Sequence, residues 1–167
     1  MKIYLAGFDV FREDALEHGE RLREACQRHG FVGLYPMDNK LPSALHGRAL
    51  AKWIYQANID LIKEADFVVA NLNPFRGAEP DSGTSFEVGY AIALGKSVWA
   101  YIENQKTIVE QLTGHEAQAG KSYVDENGFT IENFDLPLNL MLGASAQIIA
   151  GDAADCIRAL ARSVWGG

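Results

Sequence analysis

Short apolar runs alternate with amphipathic helical stripes over the first hundred residues. This alternation constrains the fold more than any other feature. The runs "KIYLAG" (2–7), "FVGLYPM" (31–37), "FVVANL" (67–72) and "SVWAYI" (97–102) have strand length and are rich in β-branched and aromatic residues. The third is apolar on both faces, which suits a parallel sheet covered by helices on each side. Between the runs, residues 13–29 set Leu16, Leu22 and Cys26 at helical spacing and end at Gly30. Residues 48–66 set Leu50, Trp53, Ile54, Ala57 and Leu61 on one helical stripe, and residues 84–94 form a third helix. The predicted fold is α/β: a doubly wound, mainly parallel sheet of about five strands with helices on both faces.

Beyond residue 103 the pattern weakens. "KTIVEQL" reads as a short helix, and Asn127-Gly128 centres a hairpin or flap within 114–134. "LPLNLMLGASAQIIAG" (136–151) and "DAADCIRALARSVW" (152–165) read as two helices. With no repeat, low-complexity stretch or linker, residues 1–167 are expected to form a single domain. The opening "MKIYLAGFDVF" reads as a first strand and not as a leader, and no apolar stretch reaches membrane-spanning length, so a cytoplasmic location is expected. Cys26 and Cys156 occupy apolar helical slots, as buried thiols do in a reducing compartment. The net charge is −7 and no Lys/Arg-rich run occurs. That argues against a nucleic-acid backbone or an anionic membrane as partner, and favours a small neutral or cationic molecule, such as a nucleoside without phosphates.

Ligands of doubly wound sheets sit outside the carboxyl ends of the strands. The connections after the first and third strands, "AGFDVF" and "NLNPFRGAEPDSGTSFEVGYAIALGK", are therefore the places to look. Asp81 and Glu87 stand six positions apart, one in the loop and one expected in the first turn of the next helix. Two carboxyl groups in different settings can divide the roles of acid and nucleophile. Glu87 would be kept ionised by the positive end of the helix, and Asp81 would donate a proton if its pKa were raised. A structural reading stands beside this one. Thr84 and Glu87 fit a capping box, Asp81-Ser82-Gly83 fits an ordinary turn, and Arg76 and Glu79 fit a solvated surface pair. Spacing alone leaves both readings open.

The central motif, with "IYLAG" before it and "LPLNLML" after it, resembles the nucleoside 2-deoxyribosyltransferase family from Ile3 to about Met141. Its "NPFRGAEPD" is similar to the protozoal-type members and related bacterial ones. The resemblance implies a flavodoxin-like sheet and exchange of the base of a 2′-deoxynucleoside with retention at C1′. It implies Glu87 as the nucleophile that forms a 2-deoxyribosyl ester, Asp81 as the acid for the departing base, and Tyr4 as a hydrogen-bond donor to the nucleophile. It implies Asn139, with Met141 beside it, as a contact to the sugar 5′-hydroxyl supplied by a neighbouring subunit of a homo-oligomer, a dimer or a hexamer. Asn71 corresponds to a position near the base, and with "NPFRG" it points weakly to purines. Gly7, Phe8, Asp9 and Phe11 are expected to shape the base pocket, and Ser82 and Gly83, beside the acid, to bind substrate as well. The expected partners are 2′-deoxynucleosides and free nucleobases.

No cofactor or metal is expected. The sequence has no H-x-x-x-H pair, cysteine cluster, G-x-x-x-x-G-K-[ST] or G-x-G-x-x-G, and His18, His29, His46 and His115 are scattered. Asp9 at the rim would repel a phosphate, which disfavours monophosphate N-glycosidases of similar fold. "DSGTSFE" lacks the paired glycines of the cytokinin-activating phosphoribohydrolases. Two alternatives remain in view: a hydrolase that intercepts the same glycosyl-enzyme with water, and a nucleoside sensor that binds without turnover.

Overall fold

The computed structural model describes residues 1–166. Its centre is a five-stranded sheet, all parallel, formed by β1 (Lys2–Ala6), β2 (Val32–Leu34), β3 (Phe67–Asn71), β4 (Ser97–Ile102) and β7 (Gln147–Ala150). The spatial order is β2-β1-β3-β4-β7. The order reverses between β1 and β3, so the loops leaving these two strands part and open a crevice at their carboxyl ends.

The two sheet faces bury different residues of the same strands. Ile3, Leu5, Val69, Trp99 and Tyr101 pack against α1 (Ala15–Arg28) and α6 (Ala153–Trp165), which contribute Leu22, Cys26, Cys156, Ile157 and Leu160. Tyr4, Ala6, Val68, Ala70, Val98 and Ala100 point the other way, toward Ile62 of α2 (Gly47–Glu64) and Val88 and Ala91 of α3 (Ser82–Ala93). This two-sided burial is why the strands read as nearly continuous apolar runs. Gly30, at φ +80°, closes α1: the Phe31 N–H returns to the Cys26 carbonyl and the Gly30 N–H to that of Gln27. Burial pushes both thiols, Cys26 and Cys156, up to about 12.

Four local expectations need correction. Residues 136–151 are not one helix. A single turn, α5 (Leu140–Gly143), is followed by β7, the fifth strand of the sheet. Ile148 and Ile149 are β-branched, favour extended backbone, and complete the edge beside β4. The second strand shrinks to three residues. Leu16 is not a core residue; it is 63% exposed, while Ala15 and Gly19 turn inward beside Leu22. The stripe of α2 is displaced too, since Ile59 and Ile62 are its buried residues, and Trp53, Ile54 and Ala57 line a cleft. The short helix α4 (Ile108–Thr113) forms behind a Thr107–Glu110 capping box, and β5 (Tyr123–Val124) pairs with β6 (Thr130–Ile131) as a hairpin around Gly128. Among the described residues no helix is long and apolar enough to cross a membrane.

The burial pattern separates two leucines that look alike in sequence. Leu160→Ala, at a position only 1% exposed, is expected to lower stability by about 2–5 kcal/mol, and Leu16→Ala to change it by less than about 0.5 kcal/mol. Urea unfolding midpoints of the two variants check this.

Candidate active site

The crevice on the α2/α3 side is a cleft of about 380 Å³. Its floor is built by α3, and its walls by the turn after β1, the segment after β2 and the inner side of α2. Val10, Phe11, Met37, Leu41, Trp53 and Ile54 give it a largely apolar lining. Gly7, Asn39, Asn58, Asp81, Gly83 and Glu87 supply the polar and backbone surface.

Glu87 lies in the second turn of α3, because the helix begins at Ser82 and not at 84. It does not fold back to cap the helix. Its Oε1 accepts a 2.6 Å hydrogen bond from the Tyr4 hydroxyl and a 3.3 Å bond from Asn58 Nδ2. Tyr4 is fully buried, with its ring in the core of β1 and its hydroxyl reaching Glu87. The expectation that the helix end keeps Glu87 readily ionised is corrected. Burial pushes its carboxyl up to about 7, against the pull of the Tyr4 and Asn58 hydrogen bonds, and the nearby charge of Asp81 raises it further. Burial, then the Glu87 charge, holds the Tyr4 hydroxyl far above its ordinary range, so it stays a donor.

The capping role belongs to Asp81. Its Oδ2 accepts from the backbone N–H and the hydroxyl of Thr84, both at 2.9 Å. This is an N-cap, and it commits one carboxyl oxygen while the other has no hydrogen bond among the described residues. Arg76 makes no ion pair with Glu79. Its guanidinium stands 4.6 Å from the Phe75 ring centre and 5.3 Å from that of Phe11, while Phe8 stacks on Phe75 at 4.7 Å. The ionisable loop is thereby fastened to the turn after β1.

Of the residues expected at the site, Gly7, Phe11, Asp81, Gly83 and Glu87 line the cleft and Tyr4 supports it from below. Phe8, Asp9 and Asn71 do not. They line a separate cavity on the α1/α6 side, because strand alternation and the turn after β1 send them to the opposite face. Ser82, Asn139 and Met141 border a third hollow outside α3. There Asn139 donates to Glu132 at 2.9 Å and accepts from the Met141 N–H at 3.0 Å.

Sequence reading missed Asn58, Asn39 and the apolar wall of Met37, Leu41 and Trp53. Asn58 had a visible signal, a polar residue four positions after Ile54 on an otherwise apolar helical stripe. Asn39, in an irregular segment, had none. Asn39 Nδ2 and Asn58 Oδ1 are buried without a hydrogen-bond partner. Such atoms are costly unless something else satisfies them. Among the described residues, no group of three or more His, Cys, Asp and Glu side chains is placed to hold a metal ion.

A family model described as nucleoside 2-deoxyribosyltransferase matches residues 3–141. The structure is similar to that of a 2-deoxyribosyltransferase from Leishmania mexicana, with a TM-score of 0.76 and 33% identity over 96% of this chain and 97% of that one. A 2-deoxyribosyltransferase from Bacillus psychrosaccharolyticus shares the fold at a TM-score of 0.54 and 24% identity, over 70% of this chain and 83% of that one. An uncharacterized protein of Schizosaccharomyces pombe is 31% identical over 120 residues, which are 70% of this chain. The chain spans only 57% of the length of that relative. A family match running from β1 to α5, with the Leishmania enzyme's fold followed over nearly its whole length, means that the chain belongs to the nucleoside 2-deoxyribosyltransferase family.

Proposed function

We propose that the protein exchanges the base of a 2′-deoxynucleoside for another purine or pyrimidine base through a covalent ester on Glu87. The observation that carries this reading is a half-buried carboxyl group, held at one oxygen by Tyr4 and Asn58, at the floor of an apolar cleft bordered by Asp81. Oε1 is occupied by these two donors, which leaves Oε2 to attack. In the first half-reaction Oε2 bonds to C1′ from the face opposite the base, and the C1′–N bond breaks. Asp81 gives its proton, from the oxygen not used in capping, to the departing base. In the second half-reaction a nitrogen of the incoming base bonds to C1′, the ester bond breaks to return the Glu87 carboxylate, and Asp81 takes the proton that this nitrogen gives up. Two inversions give net retention.

The physical demands of the reaction match the cleft. An oxocarbenium-like transition state needs an anion beneath C1′ and a proton at the leaving group. A weakly solvated carboxylate is a better nucleophile than an exposed one, and its ionisation near neutrality keeps it available. The apolar walls suit a planar base, with Phe11 presenting a ring that is 58% exposed. Asn39 and Asn58 add polar groups to the cleft lining. Asn58 lines this cleft, whereas Asn71 lines the cavity on the α1/α6 side. Asn139 and Met141 do not border this chain's own cleft, which supports the reading that a second copy in a homo-oligomer supplies the 5′-hydroxyl contact.

Incubation with 2′-deoxyinosine and adenine, followed by chromatography, tests the reaction. Deoxyadenosine should form only when adenine is present, and Glu87→Ala should lower its rate by about a thousandfold or more. Free deoxyribose with hypoxanthine, and no deoxyadenosine, would make the protein a hydrolase. Tight nucleoside binding with no turnover would make it a sensor.

The Tyr4 hydrogen bond favours the ionised form of Glu87, so its loss must raise the carboxyl pKa further. In the wild type, the acid limb of kcat/KM, set by the ionisation of Glu87, should lie near pH 7. In Tyr4→Phe this limb should move up by about one pH unit, so activity falls most on the acid side. A pH–rate profile of both proteins checks the direction.

A further inference from the structure

The α1/α6 side of the turn after β1 holds a buried polar group that the proposed chemistry does not use. Asp9 sits within the 3-10 turn Phe8–Phe11 and is only 6% exposed. Its Oδ2 accepts from Asn71 Nδ2 at 2.9 Å, and its Oδ1 stands 3.2 Å from His18 Nε2 on α1. Asn71 Oδ1 accepts in turn from the backbone N–H and the side-chain amide of Asn73, at 3.2 and 2.8 Å. Asn73 Oδ1 then accepts from the Glu103 N–H at 2.8 Å. One chain of hydrogen-bonded polar side chains ties the turn after β1 to the carboxyl ends of β3 and β4.

The same turn is a wall of the cleft. Gly7, Val10 and Phe11 face the cleft, while Phe8, Asp9 and Arg12 face a cavity of about 670 Å³ behind it. The two sides are nearly in contact. A Cβ on Gly7 would lie 2.7 Å from Asp9 Oδ2 and 2.9 Å from Asn71 Cβ. The Asp9–Asn71 hydrogen bond is therefore the immediate backing of the cleft at Gly7. Apolar side chains of similar volume could fill this space without burying an acid. They would not supply the directional bond that fixes where the turn sits against β3.

We infer that Asp9 and Asn71 are positioning residues, whose mutual hydrogen bond sets the turn that carries Phe11 into the cleft and thereby sets the affinity for the base. Neither residue touches the substrate. The inference rests on the cleft being the substrate site. The titratable and charged groups near Asp9 are His18 from α1, Arg12 beyond the turn, Tyr35 after β2 and Tyr101 on β4.

Asn71→Asp, alone and combined with Asp9→Asn, tests the inference. The single variant sets two carboxyl groups against each other, and they repel unless they share a proton. In the double variant, an amide at position 9 donates to a carboxylate at position 71, which can still accept from Asn73. Amide hydrogen exchange over residues 7–12 and steady-state kinetics of base exchange are the two readouts.

In Asn71→Asp the exchange over 7–12 should quicken. At mildly alkaline pH, KM should rise about tenfold, with kcat within about threefold of wild type. KM should recover as the pH falls and the pair takes up a proton. The double variant should return both readouts close to wild type. Unchanged exchange and KM in Asn71→Asp, or a double variant no better than the single one, would overturn the inference. Failure of the proposed reaction would show instead as a wild type without turnover, and the hydrogen-exchange arm would still decide whether the bond positions the turn.

Discussion

The Tyr4–Glu87 hydrogen bond is the constraint around which the site is organised. A carboxyl group taken from water into an apolar cleft resists ionisation, and Glu87 does so up to about 7. Only donors already in place can hold it there as an anion. Tyr4 is such a donor because it cannot move: its ring is packed within β1, whose neighbours β2 and β3 pair with it in register at Leu34 and Val68. Asn58 adds a second, longer bond from α2. Three elements remote in sequence thus meet at one oxygen, and the sheet order brings them together.

The same economy governs the loop between β3 and α3. Asp81 caps the helix on which Glu87 rides, so the residue before the helix start also lines the cleft that Glu87 borders. Capping uses one oxygen and leaves the other free. Arg76 lies over Phe75 and Phe11, and Asp9 braces the turn from the opposite side through Asn71. The ionisable residues of this region therefore divide into those that face the cleft and those that hold its wall in place.

Most of the sheet was legible because a strand buried on both faces leaves a pattern that few other elements share. The four strands up to residue 102 and the three helices between them follow from it. The fifth strand was not legible, since Gln147–Ala150 is short, lies at an edge and follows a single helical turn without a clear boundary. At the site, Glu87 and Asp81 line one cleft and Tyr4 reaches Glu87 from below. Spacing alone could not separate Glu87 as a nucleophile from Glu87 as a cap. The helix start rules out the cap: the helix begins at Ser82 with Asp81 as its N-cap, which puts Thr84 and not Glu87 at the third helical position. Asn71 illustrates the converse. It lies at a strand end near the crevice, but the face to which it turns depends on a register that no local pattern fixes, and it points away from the cleft. Asn58 did leave a signal, a polar residue in an apolar stripe, but that signal usually marks a satisfied core group.

The central claim is that Glu87 becomes covalently bonded to the sugar, and trapping that bond tests it most directly. The protein would be mixed with a 2′-deoxynucleoside whose sugar carries fluorine at C2′, quenched in acid, digested and mapped by mass spectrometry. The account predicts one added fluorodeoxyribosyl group on the peptide containing Glu87, with fragmentation placing it on that residue. Release of the base with the Glu87 peptide unmodified, or the label on Asp81 instead, would contradict it.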